Sequence, residues 1–273
     1  LVQRTACKAF SIISKGIPEA LLVELNVAIS ETLALVLNSS LTDENIMCSL
    51  LEILWCICAR EPRFKDYFGS RLHITNIVQS MAMYLPNRMI QTAGCSFLWT
   101  LSSVEIAKDI IGSCGGLGVI INSLMAHLDS PSIQREALVA LKNLATTTGN
   151  KRVIMNCGGE RAILISMWYN GRDETVLTQA FSALNNIAVD TTTREVQSVS
   201  PEILECVLRG MGRHPGSLPL QRSALFLLKN YSFSAANIEK IAQNRTQFVQ
   251  HIQTALYSHP ECKERAQYLL KKL

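Results

Sequence analysis

Three asparagines, Asn143, Asn186 and Asn230, recur at intervals of 43 and 44 residues inside the phrases Leu-Lys-Asn-Leu, Leu-Asn-Asn-Ile and Leu-Lys-Asn-Tyr. A carboxamide both donates and accepts hydrogen bonds, so one such group per structural unit makes a ladder able to hold the backbone of an extended peptide whatever its sequence. The competing reading is internal: the same groups cap loops or bond within the fold. Ile12, Cys56, Thr100 and Lys272 occupy the same phase in other units, and Ser96, Val139, Ser182, Phe226 and Tyr268 stand four residues before it. These positions, with Arg135 and Arg222, form the candidate binding set. Arg4, Arg135 and Arg222 each sit two residues into a unit, where a guanidinium adds charge-assisted contacts to an acidic partner or simply lies solvated.

Other motifs point to structure. Gly112-Ser-Cys-Gly115-Gly116-Leu-Gly118 superficially matches a phosphate-cradling loop, but no strand pattern precedes it and a glycine pair recurs 43 residues later, at Gly158-Gly159. It reads as a turn. Cys56 and Cys58 lack a second ligand pair at zinc spacing, and residues two apart on a helix point to different sides. His73, His127, His214, His251 and His259 fall mainly near helix ends or linkers, and none shares a helical phase with a nucleophile and a carboxylate. The expectation is a chain that is not an enzyme and uses no cofactor or metal.

Composition fits a folded body: 48% of the 273 residues are hydrophobic and only 18% are charged. A net charge of +4 is too small for a dedicated nucleic-acid module, so no nucleic-acid partner is expected. No run of about 18 apolar residues reads as a membrane span. Nine scattered cysteines suit a reducing compartment, the cytoplasm or the nucleus.

The elements that must position the asparagines come from an internal repeat. One apolar phrase begins at Val2, Ile46, Ile90, Ile133, Val176, Leu220 and Cys262, with steps of 44, 44, 43, 43, 44 and 42. Small residues dominate four positions later, as in Gly94, Ala137, Ala180, Ala224 and Ala266, and apolar ones follow at seven, eight and eleven. That spacing traces one face of an α-helix. Pro131, Pro219 and Pro260 fall one or two residues before the phrase, where a helix start tolerates a missing amide hydrogen. Two further helical patterns separate successive phrases, for instance 105–113 and 119–128. Three-helix units of this length cannot bury their faces alone and must stack as a solenoid. Residues 1–273 therefore read as one repeat domain. The segment 209–219, rich in glycine and proline, reads as a loop joining repeats. The chain opens and closes inside a phrase, so further repeats or domains are expected at both ends.

At this level of detail the chain resembles the armadillo family, of which importin-α and β-catenin are representatives. The family's third-helix signature, roughly Val-Gln-x-x-Ala-x-x-x-Leu-x-Asn-Leu, is matched by Ile133-Gln134…Ala137…Leu141-Lys142-Asn143-Leu144 and by Leu220-Gln221…Ala224…Leu228-Lys229-Asn230-Tyr231. The glycine pair and the asparagine column favour armadillo over the related HEAT repeats. The resemblance implies an all-α, right-handed superhelical solenoid whose third helices line a concave groove, with the asparagine column gripping a partner segment there. The expected function is a protein-interaction scaffold holding an extended or helical protein segment. The alternatives are an importin-α-like transport adaptor, or a regulator or exchange factor of a GTPase or chaperone. The importin-like tryptophan four residues before each asparagine is absent, and Trp55 and Trp99 occupy a different face.

Overall fold

A computed structural model describes residues 5, 9–10, 13–189 and 195–273, so Val2, Arg4 and Ile12 of the first apolar phrase lie outside the described residues. Seventeen α-helices and one 3-10 turn make up the described chain, which divides into two compact units, Leu1–His127 and Leu128–Leu273.

The first unit contains α1 (Glu19–Glu24), α2 (Asn26–Ser39), α3 (Glu44–Arg60), α4 (Pro62–Phe68), α5 (Arg71–Met83), α6 (Arg88–Leu101), α7 (Glu105–Ser113) and α8 (Gly116–Ala126). The second contains α9 (Pro131–Leu144), α10 (Thr148–Asn156), α11 (Gly159–Tyr169), α12 (Glu174–Ala188), α13 (Pro201–Arg213), α14 (Leu218–Tyr231), α15 (Ala235–Ala242), α16 (Arg245–Ser258) and α17 (Lys263–Lys272). The apolar phrases are the third helices of their repeats. In the first unit α3 packs along α6; in the second α9, α12, α14 and α17 lie side by side in that order. The repeated apolar columns are the core: Leu50, Leu54, Ile57, Leu98, Leu101, Ala137, Leu141, Leu144, Ala180, Leu184, Ala224 and Leu228 are all buried.

Three further columns explain why the period is so regular. Asp43, Asn87, Asp173 and Ser217 each stand three residues before a phrase, and each side chain accepts from first-turn amides of the third helix. An N-cap of this kind supplies amides that the helix cannot pair internally. The glutamine that follows the phrase start ties the third helix to the second. Gln91 Nε2 donates to the carbonyls of Met81 and Tyr84, both at 2.9 Å, and Gln221 Nε2 donates to those of Met211 and His214, also at 2.9 Å.

A third column joins one repeat to the next. Tyr84 Oη donates to Leu41 O at 3.2 Å, His127 Nε2 reaches Leu85 O at 2.7 Å, and Asn170 Nδ2 donates to Leu128 O at 3.2 Å. Arg213 donates to Gly171 O at 2.8 Å and His259 Nε2 reaches Pro215 O at 2.9 Å. Five residues of four types thus do one job, reaching back 42–44 positions to the loop carbonyl five residues before the preceding phrase. The histidines at 127 and 259 are therefore stacking groups.

The glycine pairs are turns, as expected: Gly115 and Gly158 adopt φ of 87° and 74°, where a side chain would be strained. The expected loop at 209–219 is corrected, since α13 runs through Arg213 and only a short turn at 214–217 separates it from α14. Its glycines serve packing. A Cβ on Gly210 would sit 2.9 Å from Phe181 Cζ, and one on Gly212 would sit 3.0 Å from His251 Cε1. Between Ala188 and Pro201 the described residues, Val189 and 195–200, are not helical, and the rest of the expected first helix of that unit lies outside the described residues. There the chain makes an isolated antiparallel bridge, Val189 to Val196, and an extended stretch ends at the Ser200 cap of α13. Buried Asn237 holds that stretch, accepting from Val199 N at 3.0 Å and donating to Gln197 O at 2.8 Å. Lys240 Nζ adds bonds to Ser198 Oγ and Val199 O, both at 2.8 Å.

The glutamine column makes a direct prediction. Gln221→Leu keeps volume and helix propensity but removes the amide that the Met211 and His214 carbonyls share, leaving His214 O only the Ser217 amide, which costs roughly 1–3 kcal/mol. Thermal denaturation followed by circular dichroism should show a clearly lower melting temperature, and an unchanged melt would deny the glutamine this role.

Candidate functional site

The third helices of the second unit present one face built from side chains that the apolar core leaves over. Along α9 these are Arg135, Val139, Lys142 and Asn143, all half-buried. Along α12 they are Thr178, Gln179, Ser182 and Asn186; along α14, Arg222, Phe226, Lys229 and Asn230; along α17, Arg265, Tyr268 and Lys272. Neighbouring helices meet in register across this face. Lys142 Nζ lies 3.4 Å from Gln179 Oε1, and Ser182 Oγ lies 3.2 Å from Ser223 Oγ.

The asparagines do not stand apart as three free rungs. Asn230 Nδ2 donates to Asn185 Oδ1 at 2.9 Å, Asn185 Nδ2 reaches Asn186 Oδ1 at 3.4 Å, and Asn186 Nδ2 donates to Lys142 O at 2.8 Å. Four residues on three helices thus form one directional amide relay, in which the buried Asn185 is the link that a search for single recurring positions passes over. The internal role weighed for these residues is present in the structure. Each relay carboxamide has a second N–H beyond the bond named here, and among the described residues the Asn143 side chain has no recorded hydrogen bond.

Not all of the candidate set reaches this face. Ser96 and Thr100, in the first unit, are buried at 2% and 8% exposure, and Thr100 Oγ1 donates to Ser96 O at 2.8 Å, so neither presents a polar group outward. Ser182 Oγ does lie on the face, but its proton goes to Thr178 O at 2.8 Å on its own helix, so it meets Ser223 Oγ as an acceptor. These positions share a helical phase with exposed ones, but their hydroxyls are short enough to bond back to the preceding turn. Arg222 and Phe226 are exposed, while Arg135 and Val139 are half-buried.

At the end of the row an aromatic and cationic cluster appears. The Arg265 guanidinium lies 5.0 Å from the Phe226 ring centre, and Lys229 Nζ lies 5.3 Å from that of Tyr268, with Lys272 Nζ on the same ring at 6.0 Å. Phe233, just past α14, packs against Tyr268 with ring centres 6.3 Å apart. Phe226 and Phe233 stay 40% and 57% exposed. Rings held under cations and open to solvent provide an apolar surface already surrounded by positive charge.

Elsewhere the chemistry is sparse. An open cleft of about 260 Å³ lies beside the extended stretch, lined by Lys151, Arg152, Met155, Asn156, Ile187 and Gln197. The buried Lys151 ammonium there donates to Val189 O at 2.6 Å, tying down the chain at the Val189–Val196 bridge. No group of three or more metal-ligating side chains occurs among the described residues. No described helix is long and apolar enough by itself to cross a membrane.

This arrangement defines an armadillo-like α-helical solenoid. No family model and no curated relative matches the chain. Among solved structures it is similar to a designed armadillo repeat protein in complex with the peptide (KR)4, at a TM-score of 0.67 and 16% identity, covering 88% of this chain and 98% of that one. Two engineered proteins are also similar, each at a TM-score of 0.63 and 18% identity, covering 83% and 84% of this chain and 89% and 91% of theirs.

The relay separates the three asparagines experimentally. Asn186→Ala and Asn230→Ala each remove a bond between helices and should cost roughly 0.5–1.5 kcal/mol. Asn143→Ala removes none and should stay within about 0.5 kcal/mol of the parent. Urea denaturation of the three single variants checks the order, and equal losses at all three positions would contradict the relay.

Proposed function

We propose that the chain is a non-catalytic scaffold that holds an extended peptide segment of a protein partner along the third-helix face of its second unit. The observation that carries this reading is the in-register row from Arg135 to Tyr268, in which every third helix offers partly exposed side chains at the same phase. Packed helices lie about 8–10 Å apart, roughly two to three residues of extended chain, so a backbone whose own groups recur regularly can meet each helix in turn. The similarity to a designed protein solved with a bound peptide supports the reading. A reducing compartment, cytoplasm or nucleus, suits the thiols of Cys58, Cys95 and Cys206, which are buried among apolar side chains.

Panning short random peptides displayed on phage against the purified chain tests this. Peptides selected on the parent should lose about tenfold or more in affinity to a Val139→Arg/Asn143→Arg variant whose melt is unchanged, because two bulky cations then stand in the row. Selected peptides that bind parent and variant alike would move the site off this face.

A further inference from the structure

The charge of the chain is concentrated on one row of helices. α9, α12, α14 and α17 together carry eight basic residues and three acidic ones, more positive charge than the net +4 of the whole chain. The third helices of the first unit are balanced, with Glu44 and Glu52 against Arg60 and Arg88. Arg60 is moreover committed inward, donating to the Ser14 and Ile17 carbonyls. The mild overall basicity hides a local field.

The three acids on these four helices leave the field standing: Glu136, on α9, makes no ion pair with a cation of the row among the described residues. Glu174 accepts from Ser217 Oγ at the start of α14, away from the middle of the row. Glu264 approaches Lys229 only to 3.8 Å with its side chain 92% exposed, so that pair is weak. Among the described residues Arg135, Lys142, Arg222, Arg265 and Lys272 have no recorded ion pair. Lys142 is half-buried, and burial alone pushes its ammonium below the usual lysine range.

Resting on the peptide reading above, we infer that the partner is a linear segment rich in Asp and Glu that seats an aromatic or branched aliphatic side chain against Phe226, Phe233 and Tyr268. Its carboxylates pair with Arg222, Lys229, Arg265 and Lys272 around those rings. Guanidinium groups favour paired carboxylate contacts, and the rings supply apolar area that a purely electrostatic site would lack. The alternating Lys-Arg peptide bound by the designed neighbour has the opposite sign and should be repelled by this face.

Fluorescence anisotropy distinguishes the outcomes, using a labelled Glu/Asp peptide with a central Trp, the same peptide with Ser for Trp, (KR)4, and a single-stranded oligonucleotide. The acidic Trp peptide should bind, weaken about tenfold or more in Lys229→Glu/Arg265→Glu, weaken as salt rises, and remain unaffected by Arg88→Glu in the first unit. Phe226→Ser should weaken the Trp peptide and leave the Ser peptide unchanged. Melts of all variants exclude unfolding. Tighter binding of (KR)4 would overturn the charge assignment while leaving the scaffold reading in place. Oligonucleotide binding without acidic-peptide binding would overturn both the peptide class and the scaffold reading. Acidic peptide bound equally by parent and double variant would place it elsewhere than the aromatic cluster. If no charged probe binds but peptides from the phage selection do, the inference fails alone; if those also fail, the scaffold reading falls with it.

Discussion

The backbone carbonyls around the end of each second helix set the terms for this structure. A helix leaves its last carbonyls unpaired, and a turn leading directly into another helix cannot hand them to water once repeats stack over it. Two devices meet the requirement. Gln91 and Gln221 each give an amide to two of these carbonyls within the repeat. Tyr84, His127, Asn170, Arg213 and His259 reach back to the loop of the repeat before. The second device tolerates any side chain long enough to bring a donor, so the accepting carbonyl recurs five residues before each phrase while the donor's residue type does not.

Because core columns and carbonyl partners occupy fixed phases, only a few third-helix positions remain free to vary. In the second unit these carry the amide relay from Asn230 to Lys142 and the cationic aromatic cluster. The relay illustrates a double use of one residue type. An asparagine that ties two helices together fixes the spacing between them, and that spacing sets where the neighbouring exposed groups stand.

The place where the repeat departs from its own pattern follows the same logic. At the non-helical residues Val189 and 195–200 the chain still has polar backbone to satisfy, and buried Asn237 with Lys151 and Lys240 takes that part. Two lysines bond backbone carbonyls of this stretch, Lys151 that of Val189 and Lys240 that of Val199. An extended stretch can be tolerated there because its hydrogen bonds come from the helices on either side of it.

Periodicity alone determined the helices, the repeat length, the small-residue columns and the turn role of Gly115 and Gly158, because each depends on local backbone geometry or on a face repeated many times. The cap column at Asp43, Asn87, Asp173 and Ser217 was legible too, had the phase three residues before each phrase been compared. Other features needed the folded chain. Gly210 and Gly212 read as loop residues in the sequence, yet they are helical because Phe181 and His251 occupy the space a side chain would need. Ser96 and Thr100 shared a phase with exposed residues and are buried, since burial depends on what lies opposite and not on period. The asparagine ladder was visible as a column, but its bonding ran through Asn185, outside that column. The net charge likewise says little until helix boundaries show that the cations share one row. A sequence lists charges along a line, and only packing decides which of them face the same way.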